Sequence, residues 1–243
     1  MGNLATGFPV VSWSLNERRG NVEVTRRIVF SLPPKCGAMR ARLRAGIAIY
    51  NAGRYHAAHD AWEEHWLDLE AGTDDERLLH GLIQFTAVVH HATRANWAGV
   101  RGLAESASRY IDGLPPTYRG VDLDPVRAYL AQTATDPEYV ERVPVPRLYY
   151  DGEPVTLDDL NPEETAIAAG VLIEADGFDE TPIEAAARYA LDDLARGDEG
   201  STMLALLFDF VRESDHRGII YQRLTEHVER RQAREKDVDG LFG

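Results

Sequence analysis

Six residues able to bind a metal ion or move a proton lie close together in the chain: His59, Asp60, Glu63, Glu64, Gln84 and His91. His59 and Glu63 are four apart and share one face of a helix. Asp60 and Glu64 form the neighbouring stripe, displaced by about 100° per residue. In the next helical stretch His80, Gln84 and His91 fall at offsets of four and seven, again near one face. If the two helices pack antiparallel, His59, Glu63, Gln84 and His91 converge. Facing helices build divalent-metal sites from imidazole and carboxylate donors in this way, and the ligands here would be His59, Glu63 and His91. The chain lacks both H-E-x-x-H and the paired Glu-x-x-His of di-iron bundles. The same side chains can also satisfy one another as a buried network, imidazole N–H to carboxylate and amide to either. An unpartnered buried polar group costs about 1–3 kcal/mol, so both readings predict one contact cluster. A third reading is an exposed partner-binding face.

Positioning these residues falls to a succession of helices. From Met39, Leu43, Ile47 and Tyr50 recur at helical spacing, and Asn51-Ala52-Gly53 supplies a stop. A second helix is expected from about Arg54 to Leu69. A third, over about 74–95, starts at Thr73 or Asp74 and is apolar on most sides, as a central helix would be. Asn96 opens a fourth, which Gly113 and Pro115-Pro116 close, and a fifth spans about Asp122 to Thr133. Trp62, Trp66 and Trp97 read as core anchors. Further on, Asp151-Gly152 stands between two β-prone runs and predicts a tight hairpin whose Pro154 arm lies at an edge. Asn161-Pro162-Glu163-Glu164 and Thr181-Pro182-Ile183-Glu184 both read as helix starts, with later helices over about 200–213 and 216–236.

The expected fold is all-α: an antiparallel helical-hairpin bundle with a short β-hairpin and an acidic helical C-terminal unit. Its divisions are an N-terminal extension (1–38), a helical core (39–142), an extended linker (143–160) and the acidic unit (161–243). The extension has no sustained helical period, and reads either as a disordered segment or as sequence upstream of a true start at Met39.

The run Tyr50-Asn-Ala-Gly-Arg-Tyr-His-Ala-Ala-His-Asp-Ala-Trp-Glu-Glu-His-Trp, with Gly81-Leu-Ile-Gln-Phe-Thr-Ala, His91 and Asn96, resembles domain-of-unknown-function family 309 over about residues 42–125. The resemblance implies a small, all-helical prokaryotic protein and brings no established activity. Gly53, Tyr55, His59, Glu63, Glu64, Trp66, Gly81, Gln84, His91 and Asn96 match the family pattern. Ala57 stands where the family usually has an acid, Asp60 where it has Glu, and Ala95 where it has Gly.

Composition limits the function. The formal net charge is -14, from 40 acidic residues against 26 Lys and Arg, and repels phosphate backbones. Nucleic acid is therefore disfavoured as a primary partner, and none is expected. No run reaches the roughly 20 apolar residues that span a bilayer. Cys36 is the only cysteine, and the start lacks a signal-peptide pattern, so the protein is expected in the cytoplasm. Lys35 and Lys236 are the only lysines. Scarce Lys with acidic excess suggests halophilic adaptation, although GC-rich codon usage alone would also replace Lys by Arg. The first functional expectation is a non-catalytic helical module that binds a protein partner or self-associates. The alternative is a metal-dependent enzyme, possibly hydrolytic, that uses the His/Glu/Gln cluster and a divalent ion.

Overall fold

Several helix starts in this chain are set by side chains that accept from the first free N–H groups, and they fix where the polar residues fall. The computed structural model describes residues 35–242. The N-terminal extension expected over 1–38 therefore lies almost wholly outside the described residues. Ten α-helices occur among those described. The first, α1 (Lys35–Asn51), begins four residues before the expected Met39, just after Pro33-Pro34, which cannot donate to a helical ladder. Gly53, at φ 79, turns the chain into α2 (Tyr55–Leu67). Thr73 caps α3 (Asp74–Ala92) by accepting from Glu76 N at 3.3 Å. Asn96 caps α4 (Trp97–Ile111) by accepting from Gly99 N at 3.3 Å. Between them Ala95 takes φ 54, a left-handed conformation that glycine adopts at no steric cost.

After α4 the structure departs from expectation. A hairpin of β1 (Thr117–Tyr118) and β2 (Val121–Asp122) forms around Arg119-Gly120, both at positive φ, ahead of α5 (Asp124–Thr135) and the short α6 (Tyr139–Arg142). The expected hairpin is present as β3 (Tyr149–Tyr150) and β4 (Glu153–Pro154), turning at Asp151-Gly152 with φ 52 and 85. Val121 pairs with Tyr150, which joins the two hairpins into one antiparallel sheet with order β1-β2-β3-β4. Pro154 stands on the edge strand, where its missing N–H breaks no ladder. Asn51 ties this sheet to the bundle: its amide donates to Leu148 O and Val155 O, and its Oδ1 accepts from Leu148 N.

The C-terminal helices are α7 (Pro162–Ala175), α8 (Glu180–Ala195), α9 (Thr202–Arg212) and α10 (Arg217–Phe242). Asn161 and Glu164 form the capping box foreseen for α7. For α8 the cap is Asp179, not Thr181, because Asp179 Oδ1 accepts from both the Thr181 N–H at 3.0 Å and its hydroxyl at 2.9 Å. Pro182 then falls in the first turn, where no N–H is needed. The last helix also runs beyond the expected residue 236.

The described residues cluster as one compact unit, in which α1, α2, α3, α4 and α5 each pack on the next in sequence. α7 packs on α1 and α2, and α8, α9 and α10 pack against one another. Arg44 bridges Glu164 at 2.8 Å across the α1–α7 contact. Trp62 is fully buried against Gly46, where any Cβ would collide with its indole, and its Nε1 donates to Arg42 O. Trp97, expected in the core, is half-buried beside Arg101 and Pro137, because it occupies the first turn of α4. Among the described residues no helix is long and apolar enough to cross a membrane.

Candidate functional site

The first turn of α2, the last turn of α3 and the end of α7 enclose a cleft of about 620 Å³ lined by Tyr55, His56, Asp60, His90, Thr93 and Glu174. Asp60 forms its chemical centre. One carboxylate oxygen, Oδ2, accepts from His56 Nδ1 at 3.0 Å, and the other, Oδ1, accepts from His59 Nδ1 at 3.2 Å. The His56 pair follows from i,i+4 spacing on α2. His59 is 6% exposed and points into the bundle, while the His56 side chain is half exposed. The His90 ring lies 5.9 Å from that of His56, edge to face.

Charge follows this geometry. The hydrogen bond to Asp60 holds the His56 imidazole above its ordinary value, against the opposing pull of burial. Burial alone would raise Asp60, but the hydrogen bonds from His56 and His59 keep it below the usual carboxylate range. Burial, with the charge of Arg94 and the neighbouring imidazoles, pushes His90 down to about 4, so it is a neutral nitrogen donor at neutral pH. At the rim, Arg54 is bound by Asp176, which also takes Arg217 at 2.8 Å.

His59, Asp60 and Glu63 each present one donor atom, and these atoms lie within 4.8 Å of one another. Among the described residues this is the one such group of His, Cys, Asp and Glu. The 3.2 Å between His59 Nδ1 and Asp60 Oδ1 is about the separation of two donors bound to one ion at roughly 2.1 Å each. One imidazole with two carboxylates suits Zn²⁺, Mn²⁺ or Fe²⁺.

The structure redistributes the other expected members of the cluster. Glu64, on the neighbouring stripe, pairs with Arg42 of α1 at 2.7 Å. Gln84 Nε2 donates to His80 Nε2 at 3.0 Å, and His80 Nδ1 donates to Glu76 Oε1 at 3.1 Å. His91, expected among the ligands, lies outside the three-donor group. Its Nδ1 accepts from Asn96 Nδ2 at 3.0 Å, because it sits in the last turn of α3, where the ring meets the cap of α4. Asp60, expected on the neighbouring stripe, stands in that group with His59 and Glu63. His56 could have been found from its i,i+4 relation to Asp60. His90 and Glu174 could not, since their approach depends on how α3 and α7 cross α2.

A mostly helical protein with an imidazole–carboxylate cluster beside a cleft is thus what this geometry describes. Residues 43–103, from α1 into α4, match the family model described as Domain of unknown function (DUF309), the family expected from the motif. The matched segment contains His59, Asp60, Glu63, Gln84 and His91 and stops short of Glu174 on α7. None of the curated proteins compared with the chain matches it.

Proposed function

We propose that this protein is a divalent-metal-dependent enzyme of hydrolytic type, with the ion bound by His59, Asp60 and Glu63 beside the α2–α3–α7 cleft. The observation carrying this reading is the set of three donor atoms within 4.8 Å, one of them on a buried histidine. A bound divalent cation lowers the pKa of a water ligand toward neutrality and supplies a nucleophile at ordinary pH. The cleft leaves room beside the ion for a small substrate, and His56, on the outer oxygen of Asp60, is placed to hydrogen-bond to it. Elemental analysis of the full chain tests the reading. One divalent ion per chain is expected, and His59→Ala should remove it. A metal-free protein that takes up neither Zn²⁺ nor Mn²⁺ on titration ends the proposal.

A second reading, a module that binds a protein partner or itself, draws on a different observation. Leu67 at 68%, Ile219 at 58% and Val238 at 54% stay exposed on α2 and α10. Light scattering on the purified chain should then give a mass above the 27.1 kDa monomer, and Ile219→Asp should lower it.

A further inference from the structure

Gln84 is 5% exposed, yet its Oε1 accepts no hydrogen bond. Leaving a buried carbonyl without a partner costs on the order of 1–3 kcal/mol, and a bound ion is one way to recover it. The orientation of this amide is set by its neighbours. Glu76 is a carboxylate and needs a donor, which fixes the proton of His80 on Nδ1. His80 Nε2 is then an acceptor, so the group facing it must be the NH₂ of Gln84, with Oε1 turned the other way. Burial depresses the His80 imidazole, in keeping with this neutral tautomer.

The register of the α2–α3 hairpin says what lies at that level. Trp66 of α2 donates to Glu76 at 2.9 Å and packs on His80 at 4.5 Å, whereas His56 meets His90 at 5.9 Å. Interpolation between these crossings sets Gln84 opposite Ala61, between His59 and Glu63. Those two and Trp66 share one face of α2, as Glu76, His80 and Gln84 share one face of α3. We propose that Gln84 Oε1 is a fourth protein ligand of the ion at His59, Asp60 and Glu63, held by the Glu76–His80 relay. This rests on the metal reading above and deepens it. Three oxygens with one nitrogen shift the preference of the site from Zn²⁺ toward Mn²⁺. The relay acts as an outer shell that orients the ligand, so His80 is a positioning residue.

The test is titration of the full chain with Mn²⁺, with free ion followed by electron paramagnetic resonance, and a parallel titration with Zn²⁺. Wild type should bind one Mn²⁺. Gln84→Met, of similar shape without the carbonyl, should bind Mn²⁺ at least tenfold more weakly and lose less affinity for Zn²⁺. Gln84→Glu should bind Mn²⁺ at least as tightly as wild type. Unchanged Mn²⁺ affinity in a folded Gln84→Met overturns the ligand role. If that variant does not fold, Gln84→Glu decides the matter, and a tenfold loss there overturns it equally. Metal binding that His59→Ala abolishes and both Gln84 variants leave intact removes this inference alone. A wild type that takes up neither ion removes the metal reading with it.

Discussion

The two ends of the α2–α3 pair carry the same residue types in opposite states. Near the connecting loop, Glu76 receives Trp66 Nε1 at 2.9 Å and His80 Nδ1 at 3.1 Å on one oxygen, and Gly72 N at 3.2 Å on the other. Tyr110 of α4 then stacks on His80 at 3.7 Å and covers the group. At the far end Asp60 also takes a donor on each oxygen, but both are imidazoles, and one of them faces the cleft. An indole or amide N–H cannot give up its proton near neutral pH, whereas an imidazole can lose its proton and present a lone pair instead. The loop end, with an indole and a backbone amide among its donors, is therefore a structural clasp, whereas both donors at the far end are groups able to release a proton.

Substitutions should separate the ends. The largest effect is expected at the clasp. Glu76→Ala leaves the Trp66 indole and the Gly72 amide without acceptors and should lower unfolding free energy by about 2–3 kcal/mol in urea. A loss below about 1 kcal/mol would show that the clasp carries little stability. Acid should act on the same end. Burial favours the protonated Glu76, but the donors around it hold its carboxyl below the ordinary range, and burial depresses His80. Both groups bind protons more readily unfolded, so their stabilisation is full above the unfolded values of about 6.5 for His80 and 4.3 for Glu76. It is lost as pH falls through the lower folded values. Denaturation midpoints should fall from pH 7 to 5 in wild type and less in His80→Phe; equal slopes in the two proteins argue against a neutral His80.

A smaller, opposite change is expected just past the far end. Ala95 holds φ 54 between α3 and α4, and Ala95→Gly should raise stability by about 0.5–1 kcal/mol, read as a higher melting temperature. A lower melting temperature would mean that the Ala95 side chain contributes packing that outweighs its strain. Asp60→Ala is expected to cost less than Glu76→Ala, about 1 kcal/mol, because one of its two partners, His56, is half exposed and can turn to water, so that only the buried His59 loses an acceptor inside the protein. That substitution should nonetheless abolish metal uptake. A strongly destabilised Asp60→Ala would erase the distinction between the ends.

Much of the fold could be read locally. Asn96 and Asn161 cap the helices they were expected to open, and Thr73 is the one of the two expected residues, Thr73 or Asp74, that caps α3, since a cap is decided within three residues. Asp151-Gly152 announced its hairpin, but Arg119-Gly120 makes a similar turn without the Asn or Asp that signals it, and Pro115-Pro116 before it read as a terminator. That His59 and Glu63 lie on one face of α2 was legible from their spacing, and their donor atoms do come within 4.8 Å. Asp60 was assigned to a neighbouring stripe, because spacing on one helix does not show how far a short side chain can lean. The destinations of Gln84 and His91 depend on the interhelical register and on Asn96 beyond the turn. Glu174 reaches the cleft only through the packing of α7 on α2, which no local pattern encodes.

The close contact of Gly46 with Trp62 has a spectroscopic consequence. With its ring sealed from water and its N–H held by the Arg42 carbonyl, Trp62 should emit at short wavelength and resist quenching by acrylamide. Trp97 is partly open and should be quenched readily. The blue, quencher-resistant fraction of the fluorescence is then an optical gauge of whether α1 and α2 remain together, readable one residue away from Glu63 without any added label.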